Sequence, residues 1–130
     1  MSDQKDLSGV WRSHYKFTSS QRKSEFDVEH LMKAHRRGNW LTLETTGEKN
    51  ESYLLVRLHI DDNVATGTWE EQTDKEGYYE GTVYHGAVQL LIAPDGKRME
   101  GKWVGIGHDA QINVGPWDFT FVGEASPSES

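Results

Sequence analysis

The sequence predicts an all-β fold, a single antiparallel β-barrel of eight to ten short strands. Hydrophobic and polar residues alternate with a period of two along most of the 130-residue chain, as they do in strands with one buried face. Turn signals interrupt this alternation about every 8–12 residues, a spacing typical of sandwiches and barrels. Between Ala65 and Trp117, large aromatic residues lie among glycines. That combination suits a strongly curved sheet that closes around a partly polar interior.

In the first part of the chain, the predicted strands are joined by polar turns. Val10–Thr18 alternates regularly and is predicted as the first strand. Residues 25–37 are open to two interpretations, because their alternation favours a strand while residues 28, 31, 32 and 35 would share one face of a helix. We favour the strand. Gly38-Asn39 is typical of a hairpin turn and leads into a strand at Trp40–Thr45.

The remaining strands are predicted from the same alternation. Gly86 is expected to bend the chain between two of them. Pro116 predicts a bulge or an edge position, because proline cannot donate a backbone hydrogen bond. The predicted segments are Tyr53–Ile60, Val64–Thr73, Tyr78–His85, Val88–Ile92, Met99–Gly107 and Gln111–Val122.

The length predicts one domain, at residues 8–122, with a flexible lead at residues 1–7 and a disordered tail at residues 123–130. The chain has no cysteine, which excludes disulfides and thiolate chemistry. Its N-terminus lacks the apolar core of a signal peptide, and no apolar run approaches the ~18 residues of a membrane span. We therefore expect a cytoplasmic protein with no membrane partner.

The net charge of −7 argues against direct binding to duplex nucleic acid, because that binding depends on basic residues that neutralise phosphates. Residues 1–40 nevertheless carry eight basic against five acidic residues. Their basic group could meet an anionic ligand, although a solvated face is the simpler interpretation. The group consists of Arg22, Lys23, Lys33, Arg36 and Arg37.

The strongest candidate site residues are Trp69 and Glu71, which share one face of a predicted strand. A carboxyl group beside an indole inside a barrel would have a raised pKa and would serve as a hydrogen-bond donor or general acid. The alternative is that both residues face solvent or a partner. His85, with Gln89 four residues on, places an imidazole and an amide near the predicted bend, and Tyr79 shares a strand face with His85.

The predicted ligand-binding set is completed by aromatic residues and one further histidine. Tryptophans are more often core residues than ligand contacts, and that alternative stays open here. The added residues are Tyr15, His30, Trp103 and Trp117. No cofactor is expected, and no metal site, because the six histidines lack compact ligand spacing. A hydrolase triad has no support, because no serine lies in a Gly-x-Ser-x-Gly motif.

Aromatic and glycine motifs recur through the second half of the chain: Ala65–Trp69, Gly77–Tyr79, Tyr84–Gly86, Gln89–Leu91 and Gly105–Gly107 with Gly115–Trp117. Together they resemble a known family, the C-terminal domain that follows XRE-type helix-turn-helix segments in actinobacterial regulator-like proteins. The resemblance runs from Gly9 to Phe121 and implies a bacterial protein. No DNA-binding helices are expected before residue 8, so this chain would act without them. The opening Gly9-Val10-Trp11 is also similar to the start of lipocalin-like chains, which favours a lipocalin- or avidin-like barrel.

Three further motifs are Tyr84–Ala87, Pro94–Lys97 and Met99–Trp103. They carry a second, fainter resemblance, to the β-barrel that senses cyclic nucleotides in membrane effectors of anti-phage CBASS systems, and this resemblance implies a nucleotide-like ligand. Arg12 or Arg36 near one mouth of the barrel would suit such an anion. Neither resemblance supplies catalytic residues.

Three functions follow from these observations. The preferred one is a small-molecule-binding barrel, a sensor or a sequestering module. The alternative is a cofactor-independent cyclase or isomerase that uses Glu71, His85 or Tyr79 for acid–base work. The third is a protein-interaction module that uses an outer sheet face to form a homodimer or to meet a regulator.

Overall fold

The computed structural model describes residues 7–19, 24–46, 53–72, 83–106 and 112–124. Each strand pairs antiparallel with the next, and the last pairs with the first, so the sheet closes into an up-and-down barrel. None of the described residues is helical, and the predicted all-β antiparallel barrel is confirmed. Its eight strands are β1 (Gly9–Ser19), β2 (Ser24–Arg37), β3 (Trp40–Thr45), β4 (Tyr53–Asp61), β5 (Val64–Gln72), β6 (Val83–Ile92), β7 (Arg98–Ile106) and β8 (Ile112–Gly123).

The stretch that could have been a helix is strand β2. Met32 and Ala34 are buried on its inner face, while Leu31 points outward and is exposed. A helix would have placed Leu31 and Met32 on the same side, whereas β2 alternates and pairs with both β1 and β3. The strand interpretation is therefore confirmed.

The two ends of the barrel differ. At the end that we call proximal, β1 begins, β8 ends, and two-residue turns at 38–39 and 62–63 join neighbouring strands. At the opposite, distal end, the strands are connected by residues 20–23, 46–52, 73–82 and 107–111. Apart from Thr46, these distal segments lie outside the described residues.

Aliphatic and aromatic side chains fill the proximal and central interior. Burying each of them contributes roughly 1.5–3 kcal/mol relative to leaving it exposed. The indole N–H of Trp11 donates to the Leu7 carbonyl at 2.9 Å, and Leu7 is buried, so the barrel includes a residue that the sequence placed in the lead. The completely buried side chains here include Trp11, Met32, Leu41, Leu43, Val56, Leu58, Met99 and Phe119.

The structure corrects two predicted strand features. Gly86 does not divide the chain into two strands, since β6 runs without interruption through it, and residues 78–82 of the predicted strand lie outside the described residues. Pro116 is not at an edge, because the closed barrel has none, and the register shift lies at Val10 and Trp11 instead. The pairing of β1 with β8 stops at Trp117, the residue next to this proline.

No helix in the described part of the chain is long and apolar enough to cross a membrane.

Candidate functional site

The centre of the candidate site is a hydrogen bond that crosses the barrel interior. The hydroxyl of Tyr15 on β1 donates to Oε2 of Glu71 on β5 at 3.1 Å. These strands lie on opposite sides of the eight-strand closed order, so the two side chains meet across the lumen. We call this contact the Tyr15–Glu71 bridge. The period-two alternation assigned each residue to one face of its strand and left open whether Glu71 faces the interior or solvent; the structure places it inside, and its contact with Tyr15 depends on the closure of the barrel.

Burial controls the protonation of the bridge. Removal from water raises the pKa of the Glu71 carboxyl, and the hydrogen bond from Tyr15 opposes this increase. Burial also raises the pKa of the Tyr15 hydroxyl, and the nearby charge of Glu71 adds to the effect. The phenol therefore remains a hydrogen-bond donor, and the pKa of the Glu71 carboxyl is higher than that of a solvated glutamate.

His30 joins the bridge from β2. Its ring lies 6.2 Å from that of Tyr15, at 32° between the planes, and its Nε2 atom is buried. Ser13 pairs with His30 across β1 and β2 and is the only polar residue among the fully buried side chains, in the described part of the chain. Sequence reasoning missed Ser13, although its place between Trp11 and Tyr15 in the alternating pattern predicts an inward side chain.

Three tryptophan rings line the interior beside the bridge, and the ring of Trp69 is nearly perpendicular to the other two. The rings of Trp69 and Trp103 are 5.8 Å apart at 89°, and those of Trp69 and Trp117 are 6.4 Å apart at 78°. Tyr15 packs on Trp117 with 5.3 Å between the ring centroids. The structure thus brings six of the predicted ligand-binding residues, three indoles with Tyr15, His30 and Glu71, into one interior group.

Protein acceptors satisfy all three indole N–H groups. Trp117 donates to the Ser13 hydroxyl at 2.8 Å. Trp103 donates at 3.2 Å to the carbonyl of Lys16, which lies just past the end of the β1–β8 pairing. Trp69 divides its N–H between two carbonyls on β6 and β7. These indoles therefore offer a ligand their aromatic faces rather than their donors.

Glycines on β6 and β7 make room for the central indole. A Cβ on Gly105 would lie 2.6 Å from Cζ2 of Trp69, and one on Gly86 would lie 2.9 Å from its Cε2. Real Cβ atoms do not come so close, so only glycine lets the ring lie against the wall. Gly86, which the sequence interpreted as a bend, thus supports Trp69 inside a continuous strand.

Two other predicted site residues do not join the interior group. His85 and Gln89 are exposed on the outer face of β6, because both have the opposite parity to the buried Val88 and Leu90. Gln89 donates to the Thr66 hydroxyl there at 3.0 Å. Tyr79 lies outside the described residues.

His85 borders an outer depression instead. This depression has a volume of about 440 Å³ and also contains Arg57 and Glu70. Basic and acidic groups are therefore mixed in it. The remaining described lining is Leu55, Thr68, Trp69 and Gly86.

The arginines proposed for an anionic ligand are also distant from the bridge. Arg12 is exposed on the outer face of β1. Arg36 lies near the proximal end of β2, where its Nε donates to the Gly38 carbonyl at 2.9 Å. Within the described ranges, no group of three or more histidine, aspartate or glutamate side chains is arranged to hold a metal ion.

An outer-face histidine connects three strands. His14 on β1 has its Nε2 3.0 Å from Asp27 on β2 and its Nδ1 3.2 Å from Asp118 on β8. The hydrogen bond with Asp27 raises the pKa of His14, desolvation opposes it, and Asp118 adds to the increase. We interpret this group as a structural clamp beside the β1–β8 closure.

Comparison with known proteins informs the fold. No protein-family model matches the chain, and no curated protein matches it. It is similar to a solved structure, that of a mutant of the vaccine antigen transferrin binding protein B from Haemophilus parasuis, with 12% identity and a TM-score of 0.53. The match covers 91% of this chain but 27% of the other, so this chain spans about a quarter of that structure. The likeness shows the barrel fold alone, which agrees with the predicted lipocalin-like architecture.

Proposed function

We propose that the barrel binds a small molecule in its distal interior, as a sensor or a sequestering protein. The observation that carries this proposal is the Tyr15–Glu71 bridge, a carboxyl–phenol pair placed across the lumen. A barrel that needed only stability would favour apolar packing here, because a buried carboxyl costs free energy unless it is well paired. The adjacent core is packed with completely buried apolar side chains such as Leu43, Val56 and Met99. Polar groups converging within apolar walls are typical of ligand sites.

The residues beside the bridge keep some access to solvent, which supports entry of a ligand. Trp69 and Tyr15 each retain 9% exposure and Trp103 retains 8%, whereas Trp11 and Phe119 are 0% exposed. Ile60 and Ile92, near the proximal end, retain 5% and 7%, so these values alone favour neither end of the barrel.

The cyclase or isomerase alternative draws support from the same bridge, since a carboxyl group with a raised pKa can transfer protons near neutral pH. Of the three catalytic candidates, however, His85 is outside the barrel and Tyr79 lies outside the described residues. Among the described residues, only Glu71 of that set is found at the site. Binding without turnover therefore requires fewer assumptions, and turnover is measured beside binding in the test below.

The test is a thermal-shift screen of cationic, neutral and anionic small molecules, followed by calorimetry of the best compound. Tyr15→Phe and Glu71→Gln each keep the side-chain shape and should weaken binding by about 1–3 kcal/mol through the lost hydrogen bond. His85→Ala, on the outer face, is the control and should bind as the wild type does. Equal affinity in all four proteins would remove the bridge from the site. A falling turnover in Glu71→Gln at unchanged affinity would favour the enzyme.

A second candidate function is self-association through the outer face of β7 and β8. Val104 pairs with Val114, and Ile106 with Ile112, across these strands, and all four side chains are exposed by 38–72%. They form a contiguous apolar surface of on the order of 400 Å², within the range that is often functional on monomers. Two such faces with their polar rims would bury around 1,000 Å², the lower limit for a specific interface. We propose a weak homodimer as its occupant.

Sedimentation velocity over a range of concentrations tests the dimer. The wild type should associate reversibly, and Ile112→Lys should remain monomeric because two buried lysines would face each other. Leu31→Lys, which replaces an equally typical exposed apolar residue on β2, is the control and should associate as the wild type does. A wild type that stays monomeric at every concentration, or identical behaviour of both variants, would exclude this interface.

A further inference from the structure

The distal interior has an unusual balance of charge. Among the described inward-facing residues from Ser13 to the distal end, Glu71 is the only aspartate, glutamate, lysine or arginine. The other inward polar groups at this level are uncharged phenols, hydroxyls and an amide together with one imidazole: Tyr15, Tyr84 (paired with Glu71 across β5 and β6), Ser13, Thr45, Asn113 and His30. Arg36 is the only described arginine at an inward-facing strand position, and its guanidinium donates to the Gly38 carbonyl at the proximal end, away from the bridge. When Glu71 is ionised, the electrostatic potential inside the site is therefore negative.

The aromatic walls reinforce this field. Trp69 stands almost perpendicular to both Trp103 and Trp117, so ring faces point in different directions around one region. The face of an aromatic ring carries negative electrostatic potential and attracts cations, tryptophan most strongly. Because the indole N–H groups already donate to protein oxygens, they add no donors that would favour an anion.

We propose that the ligand of this interior site is an organic cation, an alkylated or aromatic ammonium compound. Its charged group would pair with the Glu71 carboxylate and lie against the indole faces, while its apolar part would fill the remaining space. This inference rests on the proposed ligand-binding function and specifies the chemical class that the site takes. It departs from the nucleotide-like ligand implied by the second sequence resemblance, because an anion would meet the carboxylate with no described interior lysine or arginine at this level to offset it.

Matched probes separate charge from shape. Choline, 3,3-dimethylbutan-1-ol and 3,3-dimethylbutyrate share a branched head and differ in charge. Phenethylamine, 2-phenylethanol and phenylacetate form a second set with a flat ring. Tryptophan fluorescence and calorimetry should show the cation of at least one set binding tenfold or more tightly than its neutral counterpart, and the anion binding most weakly.

The Glu71→Gln variant shows whether that preference comes from the bridge. It should lose the tenfold preference, whereas Glu70→Gln, the exposed neighbour on the same strand, should retain it. Affinity of the cation for the wild type should also rise with pH, because the carboxyl must ionise to pair with it, and binding should release a proton that calorimetry in two buffers detects. In Glu71→Gln, both the pH dependence and the proton release should disappear.

The outcomes distinguish this inference from the function on which it rests. If a neutral or anionic probe binds best and Tyr15→Phe or Glu71→Gln weakens it, the site stands and the cation inference is wrong. A cation preference that persists unchanged in Glu71→Gln would likewise overturn the inference. If no probe of either set binds at millimolar concentration and the screen finds no other ligand, both the inference and the proposed function fail.

Discussion

Replacing Tyr15 with phenylalanine should destabilise the protein by an amount that increases with pH. The substitution removes the hydroxyl of the 3.1 Å bond to Glu71 and keeps the ring that packs on Trp117 at 5.3 Å. A hydrogen bond to a charged group contributes about 1.5–3 kcal/mol, and one between neutral groups about 0.5–1.5 kcal/mol. The cost should therefore be roughly 1 kcal/mol greater when the carboxyl is ionised than when it is protonated.

The direction of the pH effect follows from the raised pKa of Glu71. The stabilisation that accompanies this increase is fully present below the ordinary value of 4.5 and is lost as pH rises through the folded-state pKa. Because the Tyr15 hydrogen bond lowers that pKa, the variant should have a still higher one and should lose stability over a wider pH range. The two curves of stability against pH should run parallel up to the folded-state pKa of the wild type, which lies above 4.5, and should diverge at higher pH.

Chemical denaturation measured at intervals from pH 4 to pH 8 gives both curves, and two-state behaviour is expected for a domain of this size. Tyr15→Phe in a Glu71→Gln background is the matched control. Its cost should be smaller and independent of this ionisation, because the amide cannot ionise. Parallel curves for wild type and Tyr15→Phe, with the same offset in the control background, would refute the reasoning that the bridge holds an ionisable carboxyl inside the barrel.

Three further predictions concern the structure around the bridge. Gly105→Ala should reduce the free energy of unfolding by about 1–3 kcal/mol, because the added Cβ would overpack against Trp69. It should also alter the tryptophan fluorescence. Wild-type fluorescence and stability in this variant would contradict the packing. Ser13→Ala should cost about 1–3 kcal/mol by leaving the Trp117 indole N–H without its acceptor, measured by denaturation, and a neutral result would show another acceptor in place. The pKa of His14, measured by NMR, should lie above 6.5. The stability that His14 contributes is then fully present below pH 6.5 and is lost as pH rises through its folded-state pKa, and His14→Gln should remove this pH dependence. A measured pKa at or below 6.5 would exclude the clamp.

Much of the fold follows from local sequence patterns. The alternation along β4 and β5 fixes which residues face inward, since a shift of one residue would expose Leu54 and Val56 and bury Arg57. The same alternation put Trp69 and Glu71 on one strand face, although it left open whether that face is the inner one. It also assigns an outward position to His85 once β6 is known to run through Gly86 without a break, but the glycine itself had indicated a bend.

The candidate site depends on contacts that no local pattern contains. The Tyr15–Glu71 bridge joins residues 56 positions apart and requires closure of β1 against β8. The role of Gly86 depends on Trp69 from another strand lying over it. Sequence spacing identifies the inward residues, whereas the closure of the barrel decides which of them meet.

Native mass spectrometry of the protein purified from its own cells most directly tests whether the distal interior holds a small molecule. The wild type should carry a bound compound of small-molecule mass that collisional activation releases. Glu71→Gln, purified in the same way, should carry much less of it, and Glu70→Gln should carry as much as the wild type. Equal occupancy in Glu71→Gln and wild type would place the compound elsewhere on the molecule and contradict a binding site at the Tyr15–Glu71 bridge.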